Sequence, residues 1–352
     1  MKMSMKPIRI GIIGCGTIGG RHVESYRSTE TSVEVVAACD VVPEVVEGLV
    51  EDYDIPEAYT SAKSMLDQEH LDVVSVTTPQ QYHVEPVVQS AERGVDAIWC
   101  EKPMATDLGG ANRMLASCRE HDVHLMVNHS MRFEPNWREI KRMLEDEEIG
   151  ELQHIKLEYL GDQGTLLNNG THACDGLRWF GGEPEWVVGT VDRERSTESA
   201  TSFFEFDNGV TATYVSGAHT EYAFEGLTFE GTEGRIVARN HRGWQPAIQV
   251  WRKGDEMDPF RSGTDLEIEE SDAFVGAAAE ILSAADTGDP PVSSGADGRM
   301  ALKMVLGVYE SHRHGRKRVD IPTFDLEESP LDLMLANDEI PTVWARDFGE
   351  MH

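Results

Sequence analysis

Residues 8–20 read IRIGIIGCGTIGG and join two patterns in one short stretch. A run of branched aliphatic residues, typical of a strand buried on both faces, ends at Ile13. The glycines that follow have the spacing GxGxxG, which connects a strand to a helix beside a diphosphate. We therefore predict the first βα unit of a dinucleotide-binding domain here.

Each position of this loop has a physical reason. Gly14 permits the tight turn, Gly16 lets a pyrophosphate approach the backbone, and Gly19 lets the helix pack closely on the strand. Thr17 and Ile18 open the helix, whose N-terminus attracts phosphate. The alternative is a tight strand–helix turn with no ligand, but the spacing and the flanking elements favour a cofactor site.

Asp40 stands at the end of the second predicted strand. A carboxylate there accepts hydrogen bonds from the adenosine ribose hydroxyls and repels a 2′-phosphate. The next residues, Val41 and Val42, provide no cation that would offset this repulsion. The sequence therefore predicts NAD as the cofactor, with NADP less favoured.

Short β-rich runs and longer helical patterns alternate through the first third of the chain, which predicts a parallel sheet built of βαβ units. The predicted strands are Ile8–Ile13, Val33–Cys39, Asp72–Thr77, Val95–Cys100 and His124–Asn128. The predicted helices are Thr17–Ser28, Pro43–Glu51, Val84–Arg93 and Leu108–His121.

The pattern of predicted elements changes in the second half, where short strands follow one another without helices between them. Asp207-Asn208-Gly209 is a hairpin signal between two of these strands. The predicted strands are Leu152–Leu160, Ser202–Asp207, Val210–Ser216, Phe224–Glu230 and Arg235–Arg239, and helices follow near Asp272–Asp286 and Asp297–Arg313. The predicted fold class is α/β: a Rossmann domain over residues 1–126, then an α+β domain with a mostly antiparallel open sheet over residues 127–323. Residues 324–352 are an acidic extension packed on the body or on a partner subunit.

The composition narrows the classes of function. The chain has 63 acidic against 31 basic residues, a formal charge of −32, and the acids are spread along it. Such a charge repels nucleic acid and anionic membranes, and with scarce lysine it is typical of a halophile's cytoplasmic protein; an ordinary acidic protein is the alternative. We find no signal peptide and no apolar run long enough to span a membrane. Five dispersed cysteines without a CxxC pair predict reduced thiols, and no metal site is expected.

Two stretches carry candidate catalytic groups. Lys102 follows a predicted parallel strand at the carboxyl edge where open α/β sheets bind ligands, and could orient a substrate oxygen. Asn168, His172 and Asp175 are spaced four and three apart, so they share a face if this stretch is helical. A histidine there could remove a hydroxyl proton as hydride leaves the adjacent carbon. Taken alone, such a histidine is more often an ordinary core or surface residue.

Taken together, the motifs resemble the Gfo/Idh/MocA family, named for glucose–fructose oxidoreductase, inositol dehydrogenase and a rhizopine-catabolism protein. The resemblance extends to about Pro322. It rests on Gly11–Gly19, Thr77-Thr78-Pro79 with His83, Cys100–Pro103, Val127–Phe133, Gly170-Thr171-His172 with Asp175, Phe206–Gly209, Gly231–Gly234 and Ser294–Asp297, in this order.

The resemblance implies roles for individual residues. Lys102 matches the active-site lysine, with a cis peptide bond to Pro103, and His172 matches the general acid/base. Asp175 matches a position that contacts substrate hydroxyls in some members. The remaining matches lie near the nicotinamide or the domain junction: Thr77, Pro79, His83 and Glu101 on the cofactor side, and His129 and Arg132 on the substrate side. The resemblance also implies a homodimer or homotetramer formed through the open face of the C-terminal sheet.

One position departs from the pattern. Many members have an aspartate where this chain has Asn168. Asparagine can still orient the imidazole ring, but without the carboxylate His172 should hold a proton less tightly. Three readings stay open: an NAD-dependent dehydrogenase of a sugar, sugar acid or cyclitol; a hydrolase or lyase that uses NAD transiently on a glycoside; and a cofactor-binding regulator without catalytic activity.

Overall fold

The computed structural model describes residues 6–161, 166–192, 198–217, 224–239, 248–254, 263–268, 271–326 and 329–336. These residues form two compact units. Of the described residues, one unit contains the chain up to Ser130 together with Asp272–Arg299, and the other contains those between Met131 and Ser271 and those from Met300 to Ala336. The last sixteen residues of the predicted C-terminal extension, 337–352, lie outside the described part of the chain.

The first unit is a parallel six-stranded sheet with helices in the crossovers, in the strand order β3-β2-β1-β4-β5-β6. Its elements are β1 (Ile8–Ile13), α1 (Thr17–Arg27), β2 (Val33–Cys39), α2 (Pro43–Asp52), β3 (Glu57–Tyr59), α3 (Ala62–Gln68), β4 (Val73–Val76), α4 (Val84–Glu92), β5 (Ala97–Cys100), α5 (Leu108–Glu120) and β6 (His124–Val127). The reversal of strand order at β1 creates the switch point beside which dinucleotides bind in this architecture. The predicted Rossmann domain is confirmed.

In its described residues the second unit is built on a nine-stranded sheet, β14-β13-β12-β11-β7-β10-β9-β8-β15, and of the strand pairs found there only β7 and β10 run in parallel. Its helices and strands up to residue 266 are α6 (Pro135–Glu145), β7 (Leu152–Leu160), α7 (Asn169–Gly181), β8 (Pro184–Asp192), β9 (Ser199–Phe206), β10 (Thr211–Gly217), β11 (Phe224–Gly231), β12 (Gly234–Arg239), β13 (Ile248–Arg252) and β14 (Thr264–Leu266). The remaining elements are α8 (Ala273–Thr287), α9 (Gly295–Arg313), β15 (Val319–Asp320) and α10 (Pro330–Ala336). The predicted mostly antiparallel sheet is confirmed.

One helix lies elsewhere than the predicted domain boundaries place it. Residues 127–323 were expected to form one domain, but α8 groups with the first unit. The helix packs on α1 and β5, and its Phe274 lies 5.9 Å from the ring of His22 and 6.2 Å from that of Trp99. The physical reason is apolar burial: Ala277, Ala278 and Ile281 of α8 are fully covered.

Two features are absent from the described residues. No helix among them combines the length and the apolar character that a bilayer span requires. Within the same ranges, no group of three or more histidine, cysteine, aspartate or glutamate side chains converges as a metal site would need.

Candidate active site

The glycine loop joins β1 to α1 in the conformation that its sequence predicts. Gly14 has φ +102°, and a Cβ there would lie 2.5 Å from Thr78 N, so the turn fits only glycine. A Cβ on Gly19 would collide with Gly14 O, whereas one on Gly16 would meet nothing within 4 Å. The loop is therefore pressed against the end of β4 on one side and open over Gly16 on the other.

This open side fits a dinucleotide diphosphate. Gly16 is the N-cap of α1 and offers no side-chain cap, and the first turn of the helix has no acidic residue. The exposed backbone from Gly16 to Ile18 therefore carries the uncompensated positive end of the helix dipole. Gly14, Gly16, Thr17, Ile18 and Gly19 thus form a cradle suited to phosphate.

The Asp40 carboxylate is held at the end of β2 by two backbone groups. Cys15 N donates to its Oδ2 at 2.9 Å, and Val42 N donates to its Oδ1 at 3.0 Å. The first contact ties the acid to the glycine loop, so the two parts of the predicted cofactor site lie together. Within the described part of the chain, the recorded partners of this carboxylate are these two backbone donors and no cation.

Thr77 and His83 support the loops around this site. The Thr77 hydroxyl donates to Gly14 O at 2.6 Å, which ties the end of β4 to the glycine turn. The buried His83 ring lies between two backbone carbonyls, with Nδ1 3.0 Å from Pro103 O and Nε2 2.6 Å from Thr78 O. Burial lowers the pKa of His83, while the hydrogen bonds to the Thr78 and Pro103 carbonyls act in the opposite direction. Pro79, by contrast, is exposed at the top of the β4 loop.

Lys102 lies on the loop that follows β5, and its peptide bond to Pro103 is cis, as the family resemblance implies. The preceding Glu101 turns inward rather than toward solvent. Its Oε1 lies 3.1 Å from His22 Nε2 and accepts from the Asn128 amide, and its Oε2 accepts from Lys102 N at 3.2 Å. Glu101, predicted as a cofactor contact, thus anchors the loop that carries Lys102 to the buried side chains of His22 and Asn128.

Charge and burial oppose one another at this loop. Burial lowers the pKa of the Lys102 ammonium, while the Glu101 carboxylate acts in the opposite direction. Burial would raise the pKa of Glu101, but hydrogen bonds from His22 and Asn128 and the charge of Lys102 hold it below its ordinary value. Glu101 is therefore ionised at neutral pH, and its charge favours the protonated lysine.

His129 lies next to Ser130, the last residue of the first segment of the first unit, and is 1% exposed. Its Nδ1 lies 3.4 Å from the hydroxyl of Ser293, which itself donates to Val127 O at 2.8 Å. The ring therefore ties β6 to the segment before α9. Its predicted role in substrate binding stays a prediction.

Arg132 and Asp175 form a buried two-pronged ion pair in the second unit. Arg132 Nε donates to Asp175 Oδ2 at 2.7 Å and its Nη2 donates to Oδ1 at 2.6 Å, with both side chains at most 4% exposed. Both carboxylate oxygens thus accept from the guanidinium. The sequence predicts both residues as substrate contacts; the structure pairs them with each other, and their roles toward a substrate stay predictions.

The stretch that carries His172 is helical, as the proposed common face requires. Helix α7 begins at Asn169, Asn168 is its N-cap, and Thr171 donates to Asn168 O at 2.8 Å. His172 and Asp175 are therefore three residues apart on one helix, with His172 half-buried and Asp175 buried. His172 belongs to the second unit and Lys102 to the first.

Sequence reasoning missed one group, His22. This residue lies on the buried face of α1 and is fully covered. The available signal was its position three residues after Gly19, where a helix that packs on a parallel sheet buries its side chain.

Comparisons with known proteins agree with this architecture. The family model described as "Oxidoreductase family, NAD-binding Rossmann fold" matches residues 8–129, and the "GFO/IDH/MocA C-terminal domain" model matches residues 137–237. The chain is 26% identical to D-apiose dehydrogenase of Paraburkholderia graminis over 349 residues, covering 92% of each chain. It is 25% identical to myo-inositol 2-dehydrogenase of Thermotoga maritima over 333 residues, covering 86% of this chain and 96% of that one.

The fold also matches solved structures. One is an oxidoreductase from Agrobacterium radiobacter in complex with NAD+, L-tartaric acid and magnesium, with a TM-score of 0.77 and 22% identity. The match covers 90% of this chain and 99% of that one. The two family models match consecutive parts that make up more than half of the sequence. The chain therefore belongs to the Gfo/Idh/MocA family of oxidoreductases and carries its NAD-binding Rossmann fold.

Proposed function

We propose that this oxidoreductase oxidises a secondary or anomeric hydroxyl of a sugar, sugar acid or cyclitol, with NAD as the hydride acceptor. The observation that carries the proposal is the placement of Lys102. It lies at the carboxyl edge of the parallel sheet, in the same unit as the glycine loop, and is anchored there by Glu101. The two curated relatives reported above act on a pentose and on a cyclitol by name, which supports a polyhydroxylated substrate.

One set of residues is assigned to binding the cofactor. The glycine loop and Asp40 hold the dinucleotide, which supplies the hydride acceptor when bound. Pro79 contacts the nicotinamide side of the cofactor, while Thr77 and His83 keep the surrounding loops in place. Asp40 accepts hydrogen bonds from the ribose hydroxyls and selects NAD over NADP.

Lys102 and His172 act on the substrate. Lys102 donates a hydrogen bond to the reacting oxygen and orients it. His172 takes the proton of that hydroxyl while the hydride leaves the same carbon, so the alcohol becomes a carbonyl. Asn168 orients the imidazole, and Arg132, His129 and Asp175 are the candidate contacts to the substrate.

The direct test measures formation of reduced nicotinamide by its near-ultraviolet absorbance. The purified chain is offered sugars, sugar acids and cyclitols, with NAD and separately with NADP. We expect substrate-dependent reduction of NAD at a rate well above that of a Lys102→Met variant. A folded protein that binds neither dinucleotide would contradict the proposal.

Asn168 favours a second candidate function, that of a lyase or hydrolase. Many members of the family have an aspartate four residues before the catalytic histidine, and this chain has asparagine there. In a lyase or hydrolase the oxidation would be transient, and the hydride would return after a bond breaks. Bound NAD with product formation but no net NADH would support this candidate. If the protein is a non-catalytic regulator, neither net NADH nor a product is formed, so conversion of any substrate excludes that reading.

We further propose that the protein works in the cytoplasm of a halophile. The support is the formal charge of −32 spread along the chain, together with surface arginines surrounded by carboxylates. Arg142, for example, pairs with Glu139, Asp146 and Glu148. A hydrated carboxylate surface of this kind keeps a protein soluble at high salt.

We also propose a homodimer or homotetramer formed through the open face of the second unit's sheet. On β7, Ile155, Leu157 and Tyr159 are buried toward one face, while the alternate residues His154 and Lys156 lie on the other. Thr213 of β10 occupies that other face too. Thr213→Arg should reduce the molar mass measured by light scattering to that of the monomer, 39.1 kDa.

A further inference from the structure

A chain of polar side chains runs through the interior of the first unit and ends below Lys102. We call the set Tyr26, His22, Ser75, Glu101 and Asn128 the buried relay. Its members come from α1, β4 and the ends of β5 and β6, and none is more than 9% exposed. Tyr26, His22 and Ser75 have no part in the roles assigned above.

The hydrogen bonds of the buried relay are consistent with one direction of donation. Tyr26 OH lies 2.9 Å from Ser75 Oγ, and Ser75 Oγ lies 3.1 Å from His22 Nδ1. If Tyr26 donates to Ser75 and Ser75 donates to Nδ1, then Nε2 carries the remaining proton and donates to Glu101. A neutral His22 in this tautomer therefore has a partner for each of its two ring nitrogens, and burial lowers the pKa of His22 in keeping with that form.

The surroundings exclude water from the imidazole. The His22 ring stacks on Trp99 with a centroid distance of 3.6 Å, and Phe274 of α8 meets it edge-on. The Arg21 side chain forms an ion pair with Asp272 at the start of α8, next to this contact. In such an environment a hydrogen bond to a carboxylate is stronger than in water, and its loss is correspondingly costly.

We propose that His22 is a positioning residue for hydride transfer: it fixes the inward orientation of Glu101, and Glu101 fixes the Lys102 loop. The proposal rests on the dehydrogenase function above. Glu101 links the two ends, because one of its oxygens faces His22 and Asn128 while the other accepts from the backbone of Lys102. Without the His22 donor the buried carboxylate loses a hydrogen-bond partner, and burial then raises the pKa of Glu101. A carboxylate that is more readily protonated stabilises the Lys102 ammonium less.

The test compares two substitutions at one position. His22→Gln keeps an N–H donor that can reach Glu101, whereas His22→Leu removes it and keeps the volume similar. We expect His22→Leu to lower kcat by about 10- to 100-fold, with the Kd for NAD changed less than about threefold. His22→Gln should recover most of the lost kcat.

The pH profile separates positioning from simple structural support. A less strongly held Glu101 stabilises the Lys102 ammonium less, so the pKa of Lys102 falls. The basic limb of the kcat profile should therefore move to lower pH by about one unit in His22→Leu, and further in Glu101→Gln. The control is Leu66→Ala on α3, a buried position on a helix that packs against α4, β2 and β3, where the truncation opens a cavity. It should lower the unfolding temperature and leave the profile unchanged.

A second readout needs no substrate. In protein labelled with ¹⁵N-lysine, the Lys102 side-chain resonance is assigned with Lys102→Arg and titrated. A lower titration midpoint in His22→Leu supports the proposal even if no hydride transfer is ever seen. An unchanged midpoint, or a wild-type kcat profile in His22→Leu, would overturn it; absence of NAD reduction by the wild type would bear on the proposed function alone.

Discussion

At the scale of single residues, spacing predicted the groups that act through backbone geometry. Gly14, Gly16 and Gly19 could be assigned because a strand–helix turn over a diphosphate leaves little choice at these positions, and the structure has the turn that they predict. The pairing of Arg132 with Asp175 could not be predicted, because the two are 43 residues apart in sequence and meet only through tertiary packing. His22 was missed for the same reason, since Glu101 is 79 residues away.

Asp40→Asn should change the choice of cofactor. The substitution keeps the shape of the side chain but removes the negative charge that opposes a 2′-phosphate. We expect the ratio of kcat/KM for NADP to that for NAD to rise at least about tenfold, measured by steady-state kinetics with both cofactors. Glu120→Gln, the removal of an exposed carboxylate at the end of α5, is the control and should change the ratio little.

His172→Ala should abolish most of the turnover. If His172 removes the hydroxyl proton, its loss lowers kcat at least about a hundredfold and leaves the Kd for NAD nearly unchanged, as measured by fluorescence titration. His121→Ala, at the exposed C-cap of α5, is the matched loss of a histidine and should keep wild-type kcat. Wild-type turnover by His172→Ala would remove this residue from the mechanism.

At the scale of elements, long periodic segments were predictable and short ones were not. The predicted bounds of β1, β2 and β7 agree with the structure, because each has several consecutive buried or alternating aliphatic residues. Strands β3, β14 and β15 have only two or three residues, too few to show a period. They form through pairing with a neighbour that the local sequence does not reveal.

The contact between α6 and α7 gives a prediction about stability. A Cβ on Gly176 of α7 would lie 2.5 Å from Trp137 Cη2, and Trp137 is fully buried. Gly176→Ala should therefore lower the free energy of unfolding by about 2 kcal/mol, measured by denaturant titration. Gly48→Ala is the control: it lies in α2 with open space around it, and should raise the stability by about 0.5–1 kcal/mol. Equal effects of the two substitutions would contradict this account of the packing.

At the scale of the whole molecule, the net charge determines how the stability of the fold depends on salt. A formal charge of −32 makes the folded state repel itself at low ionic strength, and salt screens this repulsion. The unfolding temperature should rise by at least about 5 °C, or roughly 2 kcal/mol, between dilute buffer and molar KCl. Sucrose of equal osmolarity is the control, because it is excluded from the surface without screening charge. A larger effect of sucrose than of KCl would contradict the halophile proposal.

The return of α8 to the first unit has a consequence for synthesis on the ribosome. The sheet of that unit is complete once β6 has been made, but Trp99 and the His22 ring still lack Phe274 and the rest of α8. The intervening segment, from Met131 to Ser271, takes on the order of 10 s to translate at typical rates. We expect the nascent Rossmann domain to expose during that interval the apolar side chains that α8 later covers, which would favour binding by a chaperone until the helix emerges.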